Sequence, residues 1–432
     1  MLTQKQLLDA DVVIRGARVL DPTEKLDASV DVRIDAGVVT AIGANLDTNE
    51  HQVIDAAQLL LVPAFVDPHV HLRTPGREDE ETVATGTAAA AAGGYCAILA
   101  MPNTEPVVDS ASVLGSLVEL AEQEALVPTG FMAAISKGQH GEELTEMLEL
   151  AEAGAAAFTD DGRPVTSAGL MRRALQYSQL TGRRLGLHCE EPTLSSGGQV
   201  HEGVVSAQLG FGGYPSVAES LMVERDVALA RYEEQAIHVM HVSASESVEA
   251  IAAGHAQGVA VTGEVTPHHL CLTDEAVRTL DTNFKMNPPL RGEEDRQVLI
   301  EALRSGTLSC VATDHAPHAR QEKEVPFEEA PFGVTGLETA FAVLYTELVE
   351  TGVLPLETLL ERMSAGPARA YGLPVPRIAI GERANLVLVD PQASWRVSED
   401  GFRSRSVNSW LLGRTLKGQV KTTIANGRVV FG

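Results

Sequence analysis

Between residues 63 and 313 the chain repeats one alternation eight times. Apolar runs near 63–68, 95–101, 127–135, 155–159, 184–188, 236–242, 259–265 and 308–313 are too short for buried helices and end at polar or turn-forming residues, so they read as strands. Alanine- and leucine-rich stretches such as Glu81 to Ala92, Leu114 to Glu124, Glu142 to Ala153 and Val217 to Glu233 lie between them and read as helices. Strand, helix, strand repeated eight times predicts an α/β fold, a (β/α)8 TIM-type barrel. A doubly wound sheet usually has fewer repeats and carries a glycine-rich dinucleotide loop, which this chain lacks.

The two ends read differently. Val12-Val13-Ile14, Ala17-Arg18-Val19-Leu20, Val30 to Ile34 and Val38 to Ile42 are short strand-like runs separated by turn signals such as Arg15-Gly16 and Asp35-Ala36-Gly37. Near the other end, Ala384 to Val389, Gln419 to Ile424 and Arg428 to Phe431 follow the same pattern, with Asn426-Gly427 as a hairpin turn before the last. The expectation is a small β-sandwich built from both termini: residues 1–62 and 373–432 flanking a barrel over 63–372.

Composition narrows the function classes. A formal net charge of −26 over 432 residues argues against nucleic acid and anionic membrane as partners. An anionic substrate would need local cations to offset that field. Cys96, Cys189, Cys271 and Cys310 are scattered without a C-x-x-C pair, so buried free thiols in a reducing compartment are expected. No apolar run approaches the roughly 18 residues of a membrane span, and no basic-then-apolar leader opens the chain, so a cytoplasmic location is expected.

The polar residues at strand ends carry the chemistry. His69 and His71 follow the first strand in Asp67-Pro68-His69-Val70-His71, and residues i and i+2 of extended chain share a face. Asp160-Asp161 follows the fourth strand, His188 ends the fifth, His241 the sixth and Asp314 the eighth. In a barrel the carboxyl ends of all strands meet at one mouth. Four histidines and two carboxylates would then share a pocket, enough for one well-held metal ion or two with a bridging carboxylate. His51, His140, His201 and His255 read as surface residues. His238 lies an odd number of residues from His241 and is expected to face away; His268 and His269 are candidates for a supporting layer beneath the mouth, and His315 reads as structural. The charged stretch Pro317 to Pro331, without periodicity, is a candidate active-site loop.

From Asp11 to Val430 the chain resembles the bacterial type I dihydroorotases of the amidohydrolase superfamily. The resemblance rests on Asp67-Pro68-His69-Val70-His71-Leu72-Arg73, Met101-Pro102-Asn103-Thr104, Phe158-Thr159-Asp160-Asp161-Gly162, Glu264 to His269, Lys285-Met286-Asn287-Pro288-Pro289-Leu290-Arg291, Ala312 to His318 and Gly336-Leu337-Glu338-Thr339. It implies His69, His71 and Asp314 on a first zinc, His188 and His241 on a second, and Asp161 as the bridge in preference to Asp160. Many relatives bridge with a carboxylated lysine, and no lysine lies in Gly154 to Gly162. Some type I members are described with a single zinc, so two ions per subunit are expected with one as the alternative.

The implied reaction interconverts L-dihydroorotate and N-carbamoyl-L-aspartate in pyrimidine biosynthesis, with a zinc-held hydroxide as nucleophile and Asp314 as general base and acid. Arg73 is expected to pair with the substrate carboxylate. The resemblance adds Asn103 and His318 beside it, and Asn287 with the backbone of Phe332-Gly333 at the ring's amide edges. Two other readings stay open: an allantoinase- or hydantoinase-type hydrolase, and a non-catalytic partner of aspartate transcarbamoylase. A homo-oligomer and association with that transcarbamoylase are further expectations.

Overall fold

The computed structural model describes residues 2–49 and 51–432. Among them the two ends of the chain meet in one eight-stranded sheet. Strand Val12–Asp21 pairs antiparallel with Leu26–Asp35, which pairs with Val38–Gly43. On its other side it runs parallel to Leu60–Pro63, which pairs antiparallel with Leu386–Arg396. Thr415–Ala425 and Arg428–Phe431 complete that edge. Alternate side chains of this sheet, among them Ile14, Ala17, Val32, Ile34, Leu61, Leu386 and Ile424, form an apolar cluster of their own.

Two turn signals resolve differently. Asn426 and Gly427 both take positive φ, 48° and 73°, as a two-residue hairpin turn requires. Arg15-Gly16 is no turn. It is a bulge inside one continuous strand, where the register shifts between Ile14 and Ala17. Gly16 takes φ +73° at low cost and its N–H goes to the Asp31 carboxylate at 2.8 Å.

In the middle of the chain, Phe65–Val70, Tyr95–Ala100 and Thr129–Phe131 pair in parallel, as do Leu185–Leu187, Ile237–Val239, Val261–Val265 and Cys310–Val311. The fourth apolar run contributes a single bridging residue rather than a strand: Phe158 pairs with Ala133 on one side and Leu185 on the other. Val70 pairs with His315, so the first and last runs are also neighbours.

Helices follow the expected stretches with shifted ends. Val217–Glu233 matches, Met147–Glu152 is shorter, and Val83–Ala92 begins at Thr82, whose hydroxyl caps Thr85 N–H in a capping box. No helix of the described residues is long and apolar enough to cross a membrane. Cys96, Cys189 and Cys310 are buried free thiols, and Cys271 is half-buried and free.

The short helix Ala365–Ala370 closes the end of the parallel strands opposite the histidines. Ser364 Oγ donates to Ala64 O at 2.8 Å, and a Cβ on Gly366 would lie 2.2 Å from Ser309 O. Ala64 and Ser309 precede the first and last parallel strands, so this contact fixes the root of both. Gly366→Ala is therefore expected to cost about 1–3 kcal/mol, read as a lower melting temperature; an unshifted melt would show that the contact relaxes freely.

Candidate metal centre and active site

Asp67 brings the two decisive strands together. Buried inside the first strand, its carboxylate accepts from His69 N–H at 3.1 Å and from Thr313 N–H at 3.2 Å. The H-x-H segment and Asp314 are thereby held side by side: His71 Nε2 lies 3.1 Å, and His69 Nε2 3.4 Å, from Asp314 Oδ1. Asp161 sits in the centre. Its Oδ1 is 3.6 Å from His69 Nε2, from His188 Nδ1 and from His241 Nε2, and its Oδ2 is 3.6 Å from His71 Nε2. Asp160 points elsewhere, accepting from the N–H groups of Ile135 and Ser136 at 2.8 and 3.0 Å.

Burial pushes the Asp161 and Asp314 carboxyls up, but the imidazoles around them, His69 foremost, outweigh it and hold both below the usual carboxylate range. Asp160, without such neighbours, is pushed up to about 6 by burial. Three residues here take φ values that L-residues seldom adopt: Arg73 at +57°, His241 at +33° and Asp314 at +48°. Such outliers concentrate where function fixes a side chain's direction.

The donor set fits a divalent ion. Donors about 2.0–2.1 Å from a tetrahedral ion lie about 3.3 Å apart, close to the separations around Asp314. His69, His71 and Asp314 form one group of converging donors, and His69, Asp161 and His241 another. His69 Nε2 is buried with no hydrogen-bond partner, as a lone pair aimed at a cation would be. His188 joins at the edge, its Nδ1 2.8 Å from His241 Nε2.

A second set of side chains fixes which ring nitrogen faces inward. Glu264 lies 2.7 Å from His69 Nδ1, Glu190 2.9 Å from His188 Nε2, and Asn103 Oδ1 3.0 Å from His71 Nδ1. Each acceptor claims one N–H and leaves the other nitrogen's lone pair for the centre. Asn103 also donates to Asp161 Oδ2 at 3.1 Å, and Asn287 to Glu190 at 3.2 Å. Burial raises Glu264, but His238 and His69 outweigh it and hold it at about 2.

His238 departs from expectation. It turns inward, fully buried, with Nε2 2.9 Å from Glu264 Oε2. The alternation argument fails because the strand ends at Val239 and His241 leaves extended geometry. His268 and His269 are buried beside each other, and burial depresses both, His269 to about 3, so they stay neutral. His269 bonds Thr266 Oγ1 and Pro288 O, and His315 bonds Glu81. His51 and His201 are half-buried rather than solvated, bonded to Asp35 and Arg291.

His71, Arg73, Asn103, Asp161, His188, His241, Asn287, Asp314, His318, Phe332 and Gly333 line one cavity of about 180 Å³. His69 lies buried beneath it. The Arg73 Nε–H donates to Pro317 O at 3.0 Å, Glu80 Oε2 pairs with the guanidinium 2.9 Å from Nε, and Nη2 lies 3.4 Å from His318 Nε2. The 317–331 stretch is ordered around the short helix Arg320–Lys323, with Lys285 Nζ donating to Phe327 O and Lys323 Nζ to Pro331 O. Sequence reasoning assigned no role to Asp67, Glu80, Glu190 or Glu264. The available signal was an acid inside a buried strand, as at Asp67 and Glu264.

Curated dihydroorotases match this chain along its length. That of Pelotomaculum thermopropionicum is 46% identical over 421 residues, 97% of this chain and 98% of that one. That of Caldanaerobacter subterraneus subsp. tengcongensis is 42% identical over 420 residues, 97% of each. The chain belongs to the dihydroorotase family. The family model described as dihydro-orotase-like matches residues 58–247. Among solved structures, the L-hydantoinase (dihydropyrimidinase) of Arthrobacter aurescens superposes with a TM-score of 0.87 at 25% identity, covering 98% of this chain and 96% of that one. A dihydropyrimidinase from Brevibacillus agri, 24% identical over 98% of this chain and 95% of its own, shares the fold with a TM-score of 0.82.

In this member of the dihydroorotase family Glu264 carries the strongest indirect claim on the centre. Glu264→Gln keeps its shape and removes its charge. Divalent-ion affinity is expected to fall about 10–100-fold, measured by competition with a chromophoric chelator; unchanged affinity would detach His69 from the ion site.

Proposed function

We propose that this chain is an active zinc-dependent dihydroorotase, interconverting L-dihydroorotate and N-carbamoyl-L-aspartate in pyrimidine nucleotide biosynthesis. The observation that carries the reading is that Arg73 opens onto the same cavity as the metal-type donors. An acidic cyclic amide needs both: a cation for its carboxylate and an electrophilic centre for its ring carbonyl.

In this reading His69, His71 and Asp314 would hold one zinc, His188 and His241 would hold a second, and Asp161 would serve both; a single ion is the alternative. Bound there, zinc supplies a Lewis acid for the carbonyl and lowers the pKa of water toward about 7. Asp314 takes the proton of the attacking water at its free carboxylate oxygen and returns it to the leaving ring nitrogen. Ring closure uses the same groups in reverse. Arg73, its Nε engaged, offers its terminal nitrogens to the substrate carboxylate, with Asn103 and His318 beside it. Asn287 and the Phe332-Gly333 backbone bracket the ring's amide edges.

The run of parallel pairings, with Val70 joined to His315, supports a closed (β/α)8 barrel over 63–372. The shared sheet of the ends supports a β-sandwich from 1–62 and 373–432. The reading takes the enzyme to be cytoplasmic and homo-oligomeric, with aspartate transcarbamoylase as its candidate macromolecular partner.

A hydantoinase-type activity is the second reading, favoured by the likeness to the Arthrobacter aurescens structure. Purified protein assayed on L-dihydroorotate, dihydrouracil, hydantoin and allantoin separates the two. Turnover of dihydroorotate alone, abolished by chelation and restored by zinc, is expected. Arg73→Lys is expected to lower kcat/KM on dihydroorotate about 10–100-fold, the loss of a charged bidentate contact. Preference for a neutral ring would overturn the carboxylate clamp, and zinc-loaded protein inert on all four would favour a non-catalytic role.

A further inference from the structure

We infer that Glu80 is a positioning residue that sets the geometry of the substrate-carboxylate clamp, and with it the demand for an acidic ring. The inference rests on the dihydroorotase reading and deepens it. Glu80 lies outside the donor set around Asp161 and does not line the cavity; its own carboxylate converges with His318 and Glu322. It is nevertheless 2% exposed, and its carboxylate is shared by two arginines and a histidine. Oε2 lies 2.9 Å from Arg73 Nε; Oε1 lies 3.1 Å from Arg77 Nη2 and 3.1 Å from His318 Nδ1. Its own backbone is pinned, the N–H donating to Arg77 O at 2.9 Å and the carbonyl accepting from Ser406 Oγ at 2.7 Å.

A buried carboxylate is retained at such a place only if its partners repay its desolvation. Here the partners are the two side chains that face the cavity from the clamp side. A free arginine side chain samples many rotamers. Fixing Nε through Glu80 and Pro317 O removes that freedom before substrate arrives and turns the terminal nitrogens toward the cavity. His318 is held the same way, between Glu80 and the carbonyl of Phe332 at 2.7 Å. Arg77 extends the network to Glu322 at 2.7 Å, on the short helix of the 317–331 stretch. One carboxylate thus registers both clamp residues against that loop.

Glu80→Gln keeps the size and loses the charge. In the zinc-loaded protein, KM for L-dihydroorotate is expected to rise roughly 10–100-fold, with kcat and zinc content close to wild type. Inhibition by orotate, which carries the carboxylate, should weaken in parallel, and inhibition by neutral dihydrouracil should not. An unchanged or lower KM would overturn the inference, as would equal weakening of both inhibitors or a loss confined to kcat. Glu80→Asp, which keeps the charge and shortens the reach, gives an independent check should the glutamine variant misfold. A raised KM supports the inference there, and a wild-type KM overturns it. Failure of the wild-type protein to turn over dihydroorotate would instead defeat the parent reading, leaving the two failures distinct.

Discussion

The acids at the mouth of the parallel strands are buried as members of one set with the imidazoles, and that constraint shapes the mouth. Asp161 is surrounded by His69, His71, His188 and His241, and two of those imidazoles are backed by the carboxylates of Glu264 and Glu190. Taken singly, any of these groups would be costly in so dry a place. Together they form one network of short contacts running outward from Asp161 through the rings to Glu264 and Glu190. The strands must therefore end in register with one another, because a displaced member leaves a buried charge uncompensated. Asp67, bridging His69 and Thr313 through their N–H groups, enforces that register between the first and last strands.

The same constraint explains how a chain of net charge −26 can receive an anion. Long-range field would repel a dicarboxylate, but screening confines it to about 8 Å at physiological ionic strength. Inside the cavity the local balance is different. Arg73 is the guanidinium that lines the cavity, and its counter-ion Glu80 lies behind it, away from the lining. Recognition is consequently a short-range matter of hydrogen-bond geometry, and global charge sets only the background.

Much of this was legible in the sequence where chemistry follows from strand ends. Eight apolar runs and the polar residues closing five of them pointed to one mouth, and the structure brings His69, His71, Asp161, His188, His241 and Asp314 together there. What escaped was whatever depends on breaking a regular period. Arg15-Gly16 reads as a turn because glycine punctuates many turns, yet antiparallel pairing absorbs it as a bulge. His238 reads as outward-facing only if the strand continues to His241, and it does not. The supporting acids were visible as letters without roles: Glu264 meets His69 across 195 residues and Glu80 meets His318 across 238.

Those long separations decide how the site relates to its structural neighbours. The hydantoinase and dihydropyrimidinase structures share the chain's path over 98% of its length at 24–25% sequence identity. A shared path delivers strand ends to one mouth and so accounts for metal-type donors as a class. In this chain a guanidinium, Arg73, also stands at that mouth, paired with the buried acid Glu80. In the dihydroorotase reading proposed above, selectivity for an acidic ring would rest with the segment from Arg73 to Glu81 and the facing 317–331 stretch, which Arg77 and Glu322 tie together.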